Sequence, residues 1–181
     1  MRLVRQWLPA TAVALILVDD LVLTSRDWPV PALAALDEPA HLATAALLLA
    51  AAGTLRQSRA VLFALTASVA IDADHLPLYA GAPMGAQGRP PTHSLVTPIV
   101  LAVAGLAVRR WRSELLGCAV GVGLHLVRDI ATGPGIPLAW PITGRAFEVP
   151  YPAYLALLVA AAAATTGRFR RFTQTAEPVS A

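Results

Sequence analysis

Six apolar blocks, each near the length that crosses a bilayer and each closed by arginine, proline or glycine, constrain this chain more than any other feature. They fall at residues 8–23, 39–55, 59–79, 94–108, 113–131 and 150–166. With 56% hydrophobic and 14% charged residues, the sequence is also too apolar for an ordinary soluble domain of 181 residues. The predicted fold is therefore all-α, a polytopic transmembrane helix bundle of about six helices. One integral membrane domain fills residues 1–170, and a short cytoplasmic tail of disorder-type composition follows at 171–181.

Every basic residue is an arginine, and the arginines set the topology. Six passes place Arg2, Arg5, Arg56, Arg59, Arg109, Arg110, Arg112, Arg168, Arg170 and Arg171 on one side. Only Arg26, Arg89 and Arg145 fall on the other, while Arg128 lies within a helix. That asymmetry predicts both termini in the cytoplasm of an inner-membrane protein. It also accounts for the net charge of +3 without a nucleic-acid partner, and none is expected. Asp19 and Asp20 interrupt the first apolar run, and the small-residue pattern ALAA comes only at 32–35, so cleavage as a signal peptide is not expected. Cys118 stands alone in an apolar block, which excludes an intramolecular disulfide and fits a small packing residue. The glycines of GCAVGVG fit close helix packing within a bilayer.

Given this topology, all four histidines fall at the non-cytoplasmic face. His41 is in the first turn of helix 2, in DEPAHLATA; Asp72, Asp74 and His75 end helix 3, in IDADHLP; His93 precedes helix 4, in RPPTHSL; His125 and Asp129 end helix 5, in HLVRDIATGPG. Spacings of three (Asp72, His75) and four (His125, Asp129) put each pair on one helix face. Imidazoles with carboxylates are the donor set of a catalytic zinc site. Any one of these histidines alone reads more readily as an interfacial or hydrogen-bonded residue, and Asp129 could pair with Arg128. As one convergent set they point to metal, because ionisable groups at membrane depth are costly and mark function.

The strings IDADH, THSL, HLVRDIATGPG and WPI, in this order and over roughly residues 37–142, resemble the YdjM family of inner-membrane proteins, whose members are regarded as metal-dependent hydrolases. The resemblance implies Asp72, Asp74, His75, His93, His125 and Asp129 as metal residues, with His41 as the N-terminal one. The chain departs from the family pattern at Ile71, where a proline is usual, and at Arg89, Pro90 and Pro91, which stand for an Arg-Gly before the THS element. A weaker similarity of motif style, through the helical HxxxD, links the family to zinc-dependent phospholipases C and single-strand nucleases and implies phosphoester hydrolysis.

Around this set, Asp37 and Glu38 before Pro39 fit a helix start, with Asp37 capping and Glu38 open as an outer partner or general base. Asp19 and Asp20 either reach the cluster or snorkel to the headgroups. Arg128 either faces the pocket, where it would suit a phosphate, or forms a salt bridge. Thr92 and Ser94 fit a helix cap, and Trp140 fits an aromatic belt or a place against the site. The expected function is a membrane-bound hydrolase holding one or two divalent ions, zinc first and manganese second. In it Asp72, Asp129 or Glu38 would take a proton from water, and the substrate would be a membrane lipid or a lipid-linked phosphate. A metal-ion or proton transporter is the rival, and a structural metal protein a third reading; oligomeric state is left open.

Overall fold

Proline and glycine punctuate helices because one lacks an N–H and the other a side chain, and the chain follows that punctuation closely. The computed structural model describes residues 2–55, 58–79 and 89–174. Its helices are α1 (Arg2–Thr24), α2 (Val30–Ala51), α3 (Arg59–Ala70), the short α4 (Leu76–Tyr79), α5 (Val96–Ala107), α6 (Arg112–Thr132) and α7 (Tyr151–Gln174). A 3₁₀ turn, Ile71–His75, joins α3 to α4, and another, Arg109–Trp111, leads into α6. The Gly/Pro-rich stretch 80–88, expected to be a loop, lies outside the described residues, as do Arg56 and the last part of the expected tail, 175–181. The first part of that tail continues α7.

The fold is an all-α bundle, with α1, α2, α6 and α7 long and apolar enough to cross a membrane. α3 and α5 are shorter at 12 residues each, about 18 Å of helix, less than a full crossing, so the helices number about six as expected but differ in span. The packing is inverted relative to a soluble protein. Leu21 is 69% exposed and Val159 61%, while His93, His125 and Arg128 are at 0%. Apolar surface turned outward around a polar interior is what a hydrocarbon solvent selects.

Two small apolar cores sit beside that interior. Ile16, Ala40, Leu47, Tyr154 and Leu158 join α1, α2 and α7, and Val122 and Leu126 of α6 pack on Ile136 of the loop that follows. The closest pairing is α3 on α6, where glycine makes it possible. A Cβ on Gly117 would collide with the Ala60 carbonyl, and one on Gly121 with that of Ala64. Gly121→Val is therefore expected to cost about 1–3 kcal/mol and to lower the apparent melting temperature in detergent. A melting temperature unchanged by Gly121→Val would show that this contact is not tight in the protein.

One boundary differs from the sequence reading in a way that matters. α2 begins at Val30, after Pro29 and with Pro31 in its first turn, and Pro39 lies inside it. Asp37 and Glu38 are thus helix-interior residues, and Asp37 caps nothing. The sequence offers two proline-marked starts, and the earlier one is used. Polar neighbours and packed helices around Pro39 let its helix continue.

Candidate metal centre

The polar interior is assembled at one end of the bundle. Running down α1, up α2 and so on, it collects the end of α1, the first half of α2, the turn after α3, the turn before α5, the end of α6 and the start of α7. Arg59, Arg109, Arg110, Arg112 and Arg168 belong to the opposite ends of these helices, where Arg59 donates to Glu114 and Arg168 to the Ala51 carbonyl.

The 3₁₀ winding of IDADH has a direct consequence for side chains. With three residues per turn, positions three apart eclipse, and Asp72 Oδ1 lies 3.4 Å from His75 Nδ1. Asp74 Oδ1 is 2.9 Å from the same nitrogen. On α6 the four-residue spacing brings His125 Nε2 to 3.1 Å from Asp129 Oδ2. His93, on the turn before α5, puts Nε2 2.9 Å from Asp72 Oδ1 and Nδ1 3.2 Å from Asp74 Oδ2. His41 stacks on His125 with ring centroids 3.9 Å apart, and its Nε2 is 3.4 Å from Asp37 Oδ2 and 3.6 Å from Asp129 Oδ1. All seven residues expected as a metal set therefore meet in one cluster. Glu38 faces Asp72, with Oε2 buried and without a hydrogen-bond partner.

The donor atoms fit a divalent ion. His93 Nε2, His125 Nε2 and Asp129 Oδ2 form a triangle of sides 3.2, 3.1 and 3.5 Å. Asp72 Oδ1 closes a second triangle on the two nitrogens at 2.9 and 3.5 Å. Ligands bonded at about 2.0–2.1 Å to one tetrahedral ion stand about 3.3 Å apart. The tautomers agree as well. His125 Nδ1 is 2.9 Å from the Ser68 carbonyl, to which only an N–H can donate, so Nε2 offers its lone pair to the cluster. His41 is buried with neither ring nitrogen hydrogen-bonded, an arrangement that is costly without a ligand to satisfy it. In four overlapping groups, drawn from these residues and Asp37, the donor atoms all lie within 4.8 Å of one another.

Electrostatics pull His93, Asp72 and Asp74 toward their charged forms. Burial pulls the His93 pKa down, but hydrogen bonds to Asp72 and Asp74 and the charge of Asp129 outweigh it and raise it to about 9. Burial likewise pushes Asp72 and Asp74 up, yet hydrogen bonds with His93 on Asp72, and with His75, His93 and Thr92 on Asp74, hold both below their ordinary value.

Arg128 forms a salt bridge, one of its two expected roles, in an arrangement that adjoins the cluster through Asp37 and whose partners the sequence did not name. Its Nη2 donates to Asp20 at 2.7 Å and to Asp37 at 2.5 Å, its Nε to Asp37 and its Nη1 to the Tyr154 hydroxyl, with Asp19 at 3.8 Å. Tyr151 donates to Asp20 and Thr44 meets Tyr154. Asp19 and Asp20 thus neither snorkel nor join the histidines; they hold Arg128. The visible signals were an arginine inside α6 and two aspartates inside an apolar run. Thr92 and Ser94 do not cap α5 either: Thr92 donates to Asp74 and Ser94 to the Pro91 carbonyl. Trp140 is 40% exposed.

A cavity of about 720 Å³ opens beside the cluster, between α1, α2 and α6. Leu17, Leu21 and Leu33 form its apolar wall, and Asp37, Arg89 and Arg128 its polar end. Arg89 donates to Asp129 Oδ2 at 3.1 Å and crosses over Gly133, where a Cβ would come within 2.6 Å of its Nη2.

An apolar-sided helical bundle around a buried His/Asp cluster defines the class as a polytopic membrane protein with a site able to hold metal. The chain matches the family described as YdjM inner membrane protein over residues 36–179, and it belongs to that family. Among curated proteins and solved structures nothing matches it. The match takes in the whole His/Asp cluster and leaves α1 outside it.

Proposed function

We propose that this protein is a metal-dependent hydrolase of the inner membrane, acting at the non-cytoplasmic face on phosphoester bonds of lipid or lipid-linked substrates. The observation that carries the reading is the pair of histidine Nε2 atoms, 3.2 Å apart and joined by Asp72 and Asp129, beside an amphipathic cavity whose lining residues Asp37 and Arg89 contact the cluster. His41, Asp72, Asp74, His75, His93, His125 and Asp129 would hold one or two ions, zinc or manganese. Such an ion supplies a Lewis acid for a phosphoryl oxygen and lowers the pKa of water.

The chain's own residues set the rest. Ser68 and Asp74 orient the two imidazoles, and Arg89 steadies Asp129. Glu38, facing Asp72 with one oxygen unpartnered, is placed to take and pass a proton. The leucine wall suits an acyl or isoprenoid chain lying in the cavity, with the scissile group at its polar end. Transport is the weaker reading. On the arginine side of Ser68 and Thr44, the space between α2, α3 and α6 is lined by Leu48, Leu49, Ala64, Leu116 and Val120, with Thr54 the one polar side chain among its described lining residues and no ionisable relay.

Purified protein with zinc or manganese should release phosphate or a headgroup from one member of a panel of phospholipids and lipid-linked phosphates. Asp72→Asn and Asp129→Asn should each lower that rate by at least about 100-fold, because each replaces an anionic donor of the cluster by a neutral amide. Metal binding without turnover across the panel, together with metal flux in proteoliposomes, would replace the hydrolase by the transporter. For sidedness, a cysteine placed at Thr143 should react with an impermeant reagent from outside the cell and one at Gln57 should not. Reaction at Gln57 alone would put the site on the cytoplasmic face.

A further inference from the structure

The buried network does not balance its own charge. Through contacts of at most 3.8 Å it runs without a break from Asp19 and Asp20 to Arg128, Asp37, His41, Asp129 and Arg89, and on through His125, His93, Asp72 and Asp74 to His75. With the histidines neutral, as metal ligands must be, six aspartates against two guanidinium groups leave an excess of four negative charges, and Glu38 adjoins them. Carboxylates taken out of water need cations close by. One divalent ion would leave half of that excess uncompensated, whereas two would neutralise it.

The donors also separate into two sets. The inner set is the triangle of His93 Nε2, His125 Nε2 and Asp129 Oδ2, with the buried His41, whose ring nitrogens make no well-formed hydrogen bond, beside it. The outer set is Asp74 Oδ1 and His75 Nδ1, 2.9 Å apart on the 3₁₀ turn. Asp72 Oδ1 stands between the sets, 2.9 Å from His93 Nε2, 3.5 Å from His125 Nε2 and 3.4 Å from His75 Nδ1. A carboxylate in that place is where a bridge between two ions belongs. His93 turns its other nitrogen to Asp74, which fixes its ring between the sets.

We infer that the site holds two divalent cations at once, an inner one on His93, His125 and Asp129 and an outer one on Asp74 and His75, with the Asp72 carboxylate shared between them. The inference rests on the metal reading above and narrows it. Two ions sharing one carboxylate sit about 3.5–4 Å apart, close enough for their electron spins to couple.

The test uses the full chain in detergent, without an affinity tag, stripped by a chelator, reloaded with manganese and washed. Wild type should carry two manganese ions per chain and give the low-temperature electron paramagnetic resonance of a coupled pair. His75→Ala and Asp74→Asn should each carry one and give the uncoupled six-line signal, with helical content unchanged. One ion per chain in wild type overturns the pair and leaves a mononuclear centre standing, while none overturns both readings. Two uncoupled ions in wild type, or folded outer-set variants that keep two ions or lose both, overturn the assignment of donors.

Discussion

His125→Ala should strip the protein of most of its tightly held divalent metal, weakening affinity by at least about 100-fold, while the helical content stays as in wild type. The His125 ring is fixed at both nitrogens, one of them by backbone. Its Nδ1 faces the Ser68 carbonyl and its Nε2 faces His93, Asp72 and Asp129. Alanine removes the donor and leaves Nε2 of His93 and Oδ2 of Asp129 looking across an unfilled gap. The pH dependence should have a definite sign. His93 in the metal-free protein is held protonated up to about pH 9, and a metal ligand must be neutral, so binding below that value releases a proton. Affinity for zinc or manganese should therefore rise about tenfold per pH unit between about 6 and 8. Metal analysis and competition titrations check both parts. Equal metal content in wild type and His125→Ala would remove the cluster from consideration as a metal site. An affinity that is flat in pH would mean that His93 is not among the donors.

The gathering of the polar residues could be read in advance because it depends only on strand-free alternation of helices. Arginine placed the loops, and the loops placed every histidine at one end. Spacing then gave Asp72 with His75 and His125 with Asp129, and these contacts are local enough to survive errors of several residues in a helix boundary. What could not be read was anything that depends on the partner of an ionisable group. Asp37 looked like a cap because Pro39 follows closely, and a start at Val30 leaves it facing Arg128 from inside α2. Asp19 and Asp20 gave no sign of their partner, which lies more than a hundred residues away on α6. The Ser68 carbonyl, being backbone, leaves no mark in a sequence at all.

Arg128→Ala should be the most destabilising single change in the chain, by about 3–5 kcal/mol, because it leaves three part-buried carboxylates with no cation at a point where four helices meet. The side chain is fully buried, and its donors reach Asp20 on α1, Asp37 on α2 and Tyr154 on α7 from a backbone on α6. It ties four helices at one point, and one of them, α1, lies outside the family match. For a chain of this size the loss corresponds to an apparent melting temperature lower by about 6–20 °C. Arg128→Lys should fall between, since an ammonium keeps the charge but not the forked donors that serve Asp20, Asp37 and Tyr154 together. Arg128→Met combined with Asp20→Asn and Asp37→Asn should recover part of the loss, because the penalty comes from the carboxylates left behind more than from the ion pairs themselves. Throughout, the folded fraction should keep its metal, as the Arg128 side chain meets the His/Asp cluster through Asp37. An anion-binding role makes the opposite forecast: Arg128→Ala would melt within about 2 °C of wild type and lose affinity for a phosphate headgroup. With every side-chain nitrogen of Arg128 already within 3.3 Å of an oxygen of the protein, the pin is the role the geometry supports.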